Sequence, residues 1–427
     1  MMKLHSWQEP LYQRQKSILD EKKTVLNALP TGAGKTYITT QHLKDLAPAP
    51  VLIICPKAVV SNWHRVLEAF EIEKSRIVNV INWERLMTGK SKEWDGKSWK
   101  LPDGTVVVID EVHKGASGPL TKTTKMMALL KAYGVKTILV SATVADSPLK
   151  LRATGYLLGL HQFNPTSFYS FCRAHGCYNS PFHTGLDFPK GPAAKQHMSK
   201  LHDKMKDLMV RCTLDDIPGF PECVIEAKAY DLNKDYTDEV NDIYAELEAK
   251  LLEPGANEMV EKLRARQRTE LYKVPLLCDL AEETIEEGKS AVVFVCFRET
   301  LIQVCDELKR RGIEHAKIFG GQSAEERKQN HMAFQQNLLF CCVSTIDAGG
   351  TGIDMHDVLK ERPRIAYLCP HYNSVLVKQA LGRIHRDGGT KAVQIFVLAA
   401  NTIEEKVKRA IDSKLKAIDT LNDGDLE

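Results

Sequence analysis

Residues 24–39, TVLNALPTGAGKTYIT, put an apolar strand-length run, a loop with glycines at 32 and 34, and a helical run in direct succession. Backbone N–H groups at a helix N-terminus, joined by a lysine, cradle phosphates, and the hydroxyl that follows can ligate magnesium. Thr31, Gly32, Ala33, Gly34, Lys35 and Thr36 are therefore the expected ATP-holding residues, with Thr36 also expected on Mg2+. The first position of the G-x-x-x-x-G-K-T pattern is Leu29 rather than glycine, while the glycines nearest the phosphates are retained. A loop of this kind needs a strand before it and a helix after it.

The rest of the chain continues that alternation. TVLNAL (24–29), VLIICP (51–56), VVVIDE (106–111) and TILVSAT (137–143) read as strands, with helical stretches such as NWHRVLEAFE (62–71) between them. The pattern returns in AVVFVCF (291–297), HAKIFGG (315–321), LFCCVST (339–345), RIAYLCP (364–370) and VQIFVLA (393–399). Continuous apolar strands separated by helices indicate parallel sheets covered on both faces. The expected fold class is α/β, with two tandem domains of similar architecture, each a parallel sheet flanked by helices. A helical and irregular insertion separates them. The expected boundaries are 1–162 for the first domain, 163–222 for a helical extension and linker, and 223–427 for the second, whose motif-bearing core starts near residue 275. Thr402 and Glu405 form a capping-box pattern, and Ile403, Val407, Ile411, Leu415, Ile418 and Leu421 form one apolar stripe, as for a terminal brace-like helix.

Composition narrows the function class. A chain of 427 residues with 43% hydrophobic and 26% charged residues is globular, and its apolar runs are too short to span a bilayer. No secretory leader is evident, and eleven cysteines suggest reduced thiols, so a cytoplasmic rather than secreted protein is expected. Cys172, His175, Cys177 and His183 depart from the usual paired-cysteine zinc knuckle, so buried or loop residues are the plainer reading. A net charge of +3 excludes a protein that coats nucleic acid by bulk electrostatics. The basic runs KLRARQRTELYK (262–273) and LKRRG (308–312) read at least as well as solvated helix faces.

Two carboxylates end the strand in VVVIDEVH (106–113): Asp110 is placed to hold Mg2+ through water, and Glu111 to orient and deprotonate the attacking water. The hydroxyls of Ser141 and Thr143, in SAT, are placed to bond His113 and couple nucleotide state to the domain. Far along the chain, QALGRIHR (379–386) supplies Gln379, Arg383 and Arg386, the two arginines sharing a helix face. An arginine entering a phosphoryl-transfer site is worth about 10³–10⁵ in rate, roughly 4–7 kcal/mol. Arginines this remote from the phosphate loop imply a second domain that closes onto the nucleotide.

The ordered series LPTGAGKT, DEVH, SAT, STIDAGGTGID and QALGRIHR resembles the superfamily-two helicases and translocases over nearly the whole chain. CPKAVVSNWHRVLEAF (55–70), with Asn62 and Trp63 in matching places, looks like the Swi/Snf-type DNA-translocating ATPases. So do LMVRCTLDDIPGFPECVIEAKAYDL (208–232), GGQSAEERKQNHMAFQ (320–335) and NTIEEKVKRAIDSKL (401–415). The resemblance implies two RecA-like domains, adenine reading by Gln13, and nucleotide contacts from Gly352 and Asp354 in the VSTIDAGGTGID segment. The departures are SAT, where Swi/Snf-type enzymes usually carry a central glycine, and Asp354, where they usually carry asparagine. The large helical insertions of eukaryotic remodellers look absent or reduced, so a compact viral or bacterial form is expected.

Residues 355–378 leave no room for a long strand-separating hairpin, which favours tracking along duplex or branched DNA. Expected backbone contacts come from Lys57, Ser61, Asn62, Ser344 and Thr345. The reading leaves RNA open, expects a monomer and no membrane, and leaves protein partners unknown. It keeps two alternatives: a strand-separating or branch-remodelling helicase, and a nucleic-acid-gated ATPase clamp that does not move.

Overall fold

The computed structural model describes residues 2–89, 91–115, 121–142, 144–181, 184–189, 191–251, 258–349, 353–371, 373–402 and 404. Thr143, His183, Gly352 and the terminal apolar stripe beginning at Ile403 lie outside these residues. The described residues divide into two compact units, one ending at Pro218 and one beginning at Gly219.

In the first unit, β1 (Thr24–Asn27), β2 (Val51–Cys55), β3 (Ile77–Asn82), β4 (Val106–Asp110) and β5 (Lys136–Val140) form a parallel sheet. A short antiparallel pair, β6 (Tyr178–Asn179) and β7 (Leu186–Asp187), follows, and β8 (Met209–Val210) then joins the edge. The sheet order is β3-β2-β4-β5-β1-β8. β1 and β2 are buried throughout, as two-sided coverage requires. β3 is half-buried, so it lacks the unbroken apolar run that marks the central strands.

Helices Pro165–Ala174 and Pro192–Met205 come from the insertion. The first is started by the Asn164 side chain, which accepts from the Ser167 N–H, with Pro165 in the first turn. Phe168, Phe171, Met198, Leu201 and Met205 pack into the same core as Leu52, Ile54, Val107 and Ile109. This part of the insertion therefore shares the first core instead of building its own. Cys172 and Cys177 are buried in that core, and all eleven cysteines are free thiols. Among the described residues no group of three or more metal-ligating side chains is placed to hold an ion.

The second unit holds β9 (Cys223–Tyr230), β10 (Ser290–Val295), β11 (His315–Ile318), β12 (Cys341–Thr345), β13 (Arg364–Leu368) and β14 (Ala392–Ala399) in the parallel order β11-β12-β10-β13-β14-β9. β9 pairs with β14 along its full length, from Cys223 opposite Ala392 to Tyr230 opposite Ala399. Its half-exposed residues, including Glu226 and Lys228, hide it from a search for apolar runs. Leu277, Leu301, Val304 and Leu308 cover Val293 and Val295 from flanking helices. Each unit is thus a RecA-like α/β domain. Among the described residues no helix is long and apolar enough to cross a membrane.

Both basic runs are engaged in structure. Arg264 pairs with Glu261 at 2.9 Å, Arg268 with Glu246 at 2.8 Å, and Arg266 donates to the Pro370 carbonyl at 2.9 Å. Arg311 pairs with Asp279, Glu282 and Glu307 at 2.6–2.8 Å. Lys273 is fully buried, pairs with Glu404 and donates to the Val397 carbonyl at 3.1 Å. Burial opposes its charge, but Glu404 outweighs that and holds the Lys273 pKa above its ordinary value. Replacing Lys273 by Met strands a buried carboxylate, so the second unit should lose about 3–5 kcal/mol of stability, read as a lower denaturant midpoint.

Candidate nucleotide site

β1 delivers the chain into the loop 28–34, and helix α1 (Lys35–Asp45) begins immediately after it. Gly34 caps that helix in the left-handed region at φ +77°, and Gly32 adopts φ +89°. The turn leaves helix N-terminal amides directed at the loop, the arrangement that receives phosphate. Lys35 Nζ donates to the Leu29 and Pro30 carbonyls, both at 3.1 Å, so the ammonium lies over the loop. Thr36, Thr31 and Gly32 are partly exposed, whereas Ala33 is buried.

Gln8, buried and outside the motif series, supports this loop. Its Nε2 donates to the Ala33 carbonyl at 3.2 Å, and its Oε1 accepts from the His5 N–H at 3.0 Å. A Cβ on Gly34 would sit 2.3 Å from Gln8 Nε2, so this glycine is required for close approach as well as for its φ. Gln13, the expected adenine reader, is exposed and donates to Glu9 at 2.8 Å. From below, Asn27 Nδ2 donates to Gln15 Oε1 at 2.9 Å, and Gln15 in turn meets His42 Nδ1 at 3.2 Å. Burial pushes the His42 pKa down to about 4, so this network holds a neutral imidazole near pH 7.

Asp110 ends β4. Its Oδ2 accepts from the Trp63 indole N–H at 2.9 Å and its Oδ1 from the Glu111 N–H at 2.9 Å. Trp83 Nε1 donates to the Asp110 carbonyl at 3.3 Å. Burial raises the Asp110 pKa to about 6, and the adjacent Glu111 charge adds to the rise; Trp63 and Lys35 act in the opposite direction. Glu111 has φ +51°, a left-handed conformation costly for a residue with a side chain. That backbone brings its Oε2 to 3.3 Å from Ser141 Oγ, which donates to it, and to 3.2 Å from His113 Nδ1. His113 Nδ1 lies 3.0 Å from Ser141 Oγ, closing a compact triangle. Trp63 stands out in the sequence through the segment 55–70, whereas Trp83 and Gln8 lie outside every motif.

In the second unit, Gln379 lies in the middle of helix Ser374–Ile384, Arg383 in its last turn and Arg386 just beyond its end. Gln379 and Arg383 are buried, and the Arg383 guanidinium lies 3.4 Å from the Ile353 carbonyl. Arg386 pairs with Asp354 at 2.8 Å and donates to the Gly382 carbonyl at 3.0 Å. Burial disfavours charge on Asp354, yet Arg386 and Arg383 outweigh it and hold the carboxyl below its ordinary pKa. Asp354 and Arg386, read separately from sequence, are thus direct partners.

Lys57 and Ser61 are exposed at the start of α2 (Val60–Ala69) and the turn preceding it. Asn62 accepts from Arg65 at 2.8 Å. Thr345 is nearly buried at the end of β12. Ser344 is fully buried, its hydroxyl donating to the Thr345 carbonyl at 3.1 Å, which removes it from the surface contacts expected of it.

Residues 1–146 match the family described as the type III restriction enzyme res subunit, and residues 272–388 match the helicase conserved C-terminal domain. The chain is 28% identical to a putative ATP-dependent RNA helicase of Acanthamoeba polyphaga mimivirus, covering 96% of this chain and 82% of that protein. It is 22% identical to the Xenopus laevis SWI/SNF-related matrix-associated actin-dependent regulator of chromatin subfamily A-like protein 1, over 91% of this chain but only 41% of the relative. S. cerevisiae Dbp5 bound to RNA and ADP BeF3 has the same fold at a TM-score of 0.51, with 12% identity over 95% of this chain and 87% of that one. The chain belongs to the superfamily-two helicases, is related to their Snf2-like members, and is an ATP-hydrolysing enzyme.

Proposed function

We propose that this ATPase is a DNA translocase that couples hydrolysis to movement along duplex or branched DNA. The observation that carries the reading is the segment between the Asp354 loop and helix Ser374–Ile384. Among its described residues it holds one strand, β13, and no hairpin that would act as a wedge. The Swi/Snf-like segment 55–70, folded as the turn before α2 and α2 itself, supports DNA as the track.

In this reading Lys35 and the amides of the 31–36 loop bind the β- and γ-phosphates. Thr36 and Asp110 are hard oxygen donors suited to magnesium, and two adjacent acids at a strand end form a site that a dication relieves. Bound magnesium supplies charge neutralisation across the phosphates. Glu111, held by Ser141 and His113, takes the proton of the attacking water. Arg383 and Arg386 offset charge on the transferring phosphoryl group, and Gln379 acts beside them. Lys57, Ser61 and Asn62, with Thr345, contact the nucleic-acid backbone, which carries little sequence information. Gln13 keeps its place as adenine reader in the nucleotide-bound form.

A second reading has support of its own. The mimivirus relative is named an RNA helicase, and the SAT segment is that of general helicases. ATPase rates with single-stranded, duplex, forked and RNA effectors at fixed salt separate the two. Duplex DNA should stimulate most, and ATP should displace a triplex-forming strand while plain duplexes stay closed. Efficient unwinding of a plain fork, or stimulation by RNA alone, would overturn the translocase reading. Glu111→Gln should lower kcat by about 10²–10⁴ with ATP affinity retained in a fluorescent-nucleotide titration. Arg386→Ala should cost about 10³–10⁵ in kcat, and full activity in that variant would refute its place in phosphoryl transfer.

A further inference from the structure

Trp63 is among the largest fully buried side chains of the protein, and its one polar atom is spent on the Asp110 carboxylate at 2.9 Å. A buried indole N–H needs an acceptor, and a backbone carbonyl would satisfy it, as Met126 does for Trp99 at 3.0 Å. Here the acceptor is instead a carboxylate at the end of β4. Trp63 lies on α2 one residue after Asn62, and Val66 and Leu67 on the same face are buried with it. The ring is thus anchored by a helical stripe and has little freedom to follow a moving carboxylate.

We propose that Trp63 is a positioning residue for magnesium binding: its N–H fixes the Asp110 carboxylate and ties it to the segment that begins at Lys57. The inference rests on the reading of Asp110 as the residue that holds magnesium. An ionised carboxylate offers about four lone-pair sites. Trp63 and the Glu111 N–H occupy one on each oxygen, leaving the remainder for metal-bound water in a single orientation. Without the indole donor the carboxylate turns about its last torsion, and the water-bridged metal loses a preset partner. Because Ser61, Asn62 and Trp63 share one helix, displacement of its N-terminus by a bound backbone shifts the same donor.

The test reads nucleotide binding rather than turnover. A fluorescent ADP analogue is titrated against the full chain in EDTA and across a magnesium series. Benzothienylalanine at position 63 replaces only the N–H by sulfur, and Trp63→Phe is the second variant. Both should keep the metal-free affinity and raise half-saturating magnesium about tenfold, the scale of one hydrogen bond to a charged group. Trp99→Phe, which removes a comparable buried indole donor elsewhere in the first core, should leave half-saturation unchanged. A position-63 analogue that needs no more magnesium than wild type overturns the proposal. So does an equal rise in Trp99→Phe. A wild-type protein whose nucleotide affinity ignores magnesium overturns the reading of Asp110 itself, and the inference with it.

Discussion

Parallel pairing of β4, β5 and β1 is the constraint on which the first unit's chemistry depends. In one register Asn27 lies opposite Val140, and Val140 opposite Asp110. Parallel strands finish at the same sheet edge, so each of these pairs ends where a loop must begin. The phosphate loop, Ser141 and the Asp110–Glu111 pair are therefore neighbours because the strands are, despite lying in three separate stretches of the chain. β8 closes the side of β1, where the Ala28 N–H donates to the Val210 carbonyl at 2.9 Å and Arg211 donates to the Ala28 carbonyl at 2.6 Å. Residues from the insertion thus hold the base of the loop.

That edge concentrates negative charge where burial makes it costly. Asp110 and Glu111 are adjacent, and desolvation raises the Asp110 pKa before Glu111 adds to it. Trp63 and the Glu111 amide favour the ionised form, while Lys35 contributes from the loop. The left-handed backbone at Glu111 separates the two carboxylates, giving one to tryptophan and the other to serine and histidine. Local strain is thereby exchanged for two acids with different surroundings, which two different tasks require.

The central strands and the phosphate loop were legible because each combines an apolar run with a local signal: glycines at 32 and 34, or acids at a strand end. β3 and β9 were not, because edge strands mix exposed and buried positions and lose the continuous apolar pattern. The Asp354–Arg386 pair was half-legible: both residues stood out, but nothing in a sequence indicates that a guanidinium turns back to a loop 32 positions earlier. Gln8 had no signal at all. Its value lies in a buried contact with Ala33, and a glutamine at the start of a helix reads the same whether it meets solvent or a backbone carbonyl. Ser344 shows the converse, since nothing in the sequence tells an exposed hydroxyl at the end of a strand from a buried one, and this one is interior.

The pairing of Arg386 with Asp354 gives the second unit a property that follows from charge alone. Swi/Snf-type enzymes usually carry asparagine at this position, which offers Arg386 a dipole; aspartate offers a full opposite charge. Before the guanidinium can serve a phosphoryl group, it must leave that carboxylate or share it. The net gain from engaging phosphate is therefore the difference between two ion pairs, smaller than the gain of an arginine otherwise in water. The carboxylate left behind keeps the permanently charged Arg383 as a neighbour, so it stays partly compensated when Arg386 departs. The two units thus differ in kind: an ion pair restrains Arg386 in the second, whereas an indole N–H presets the Asp110 carboxylate in the first.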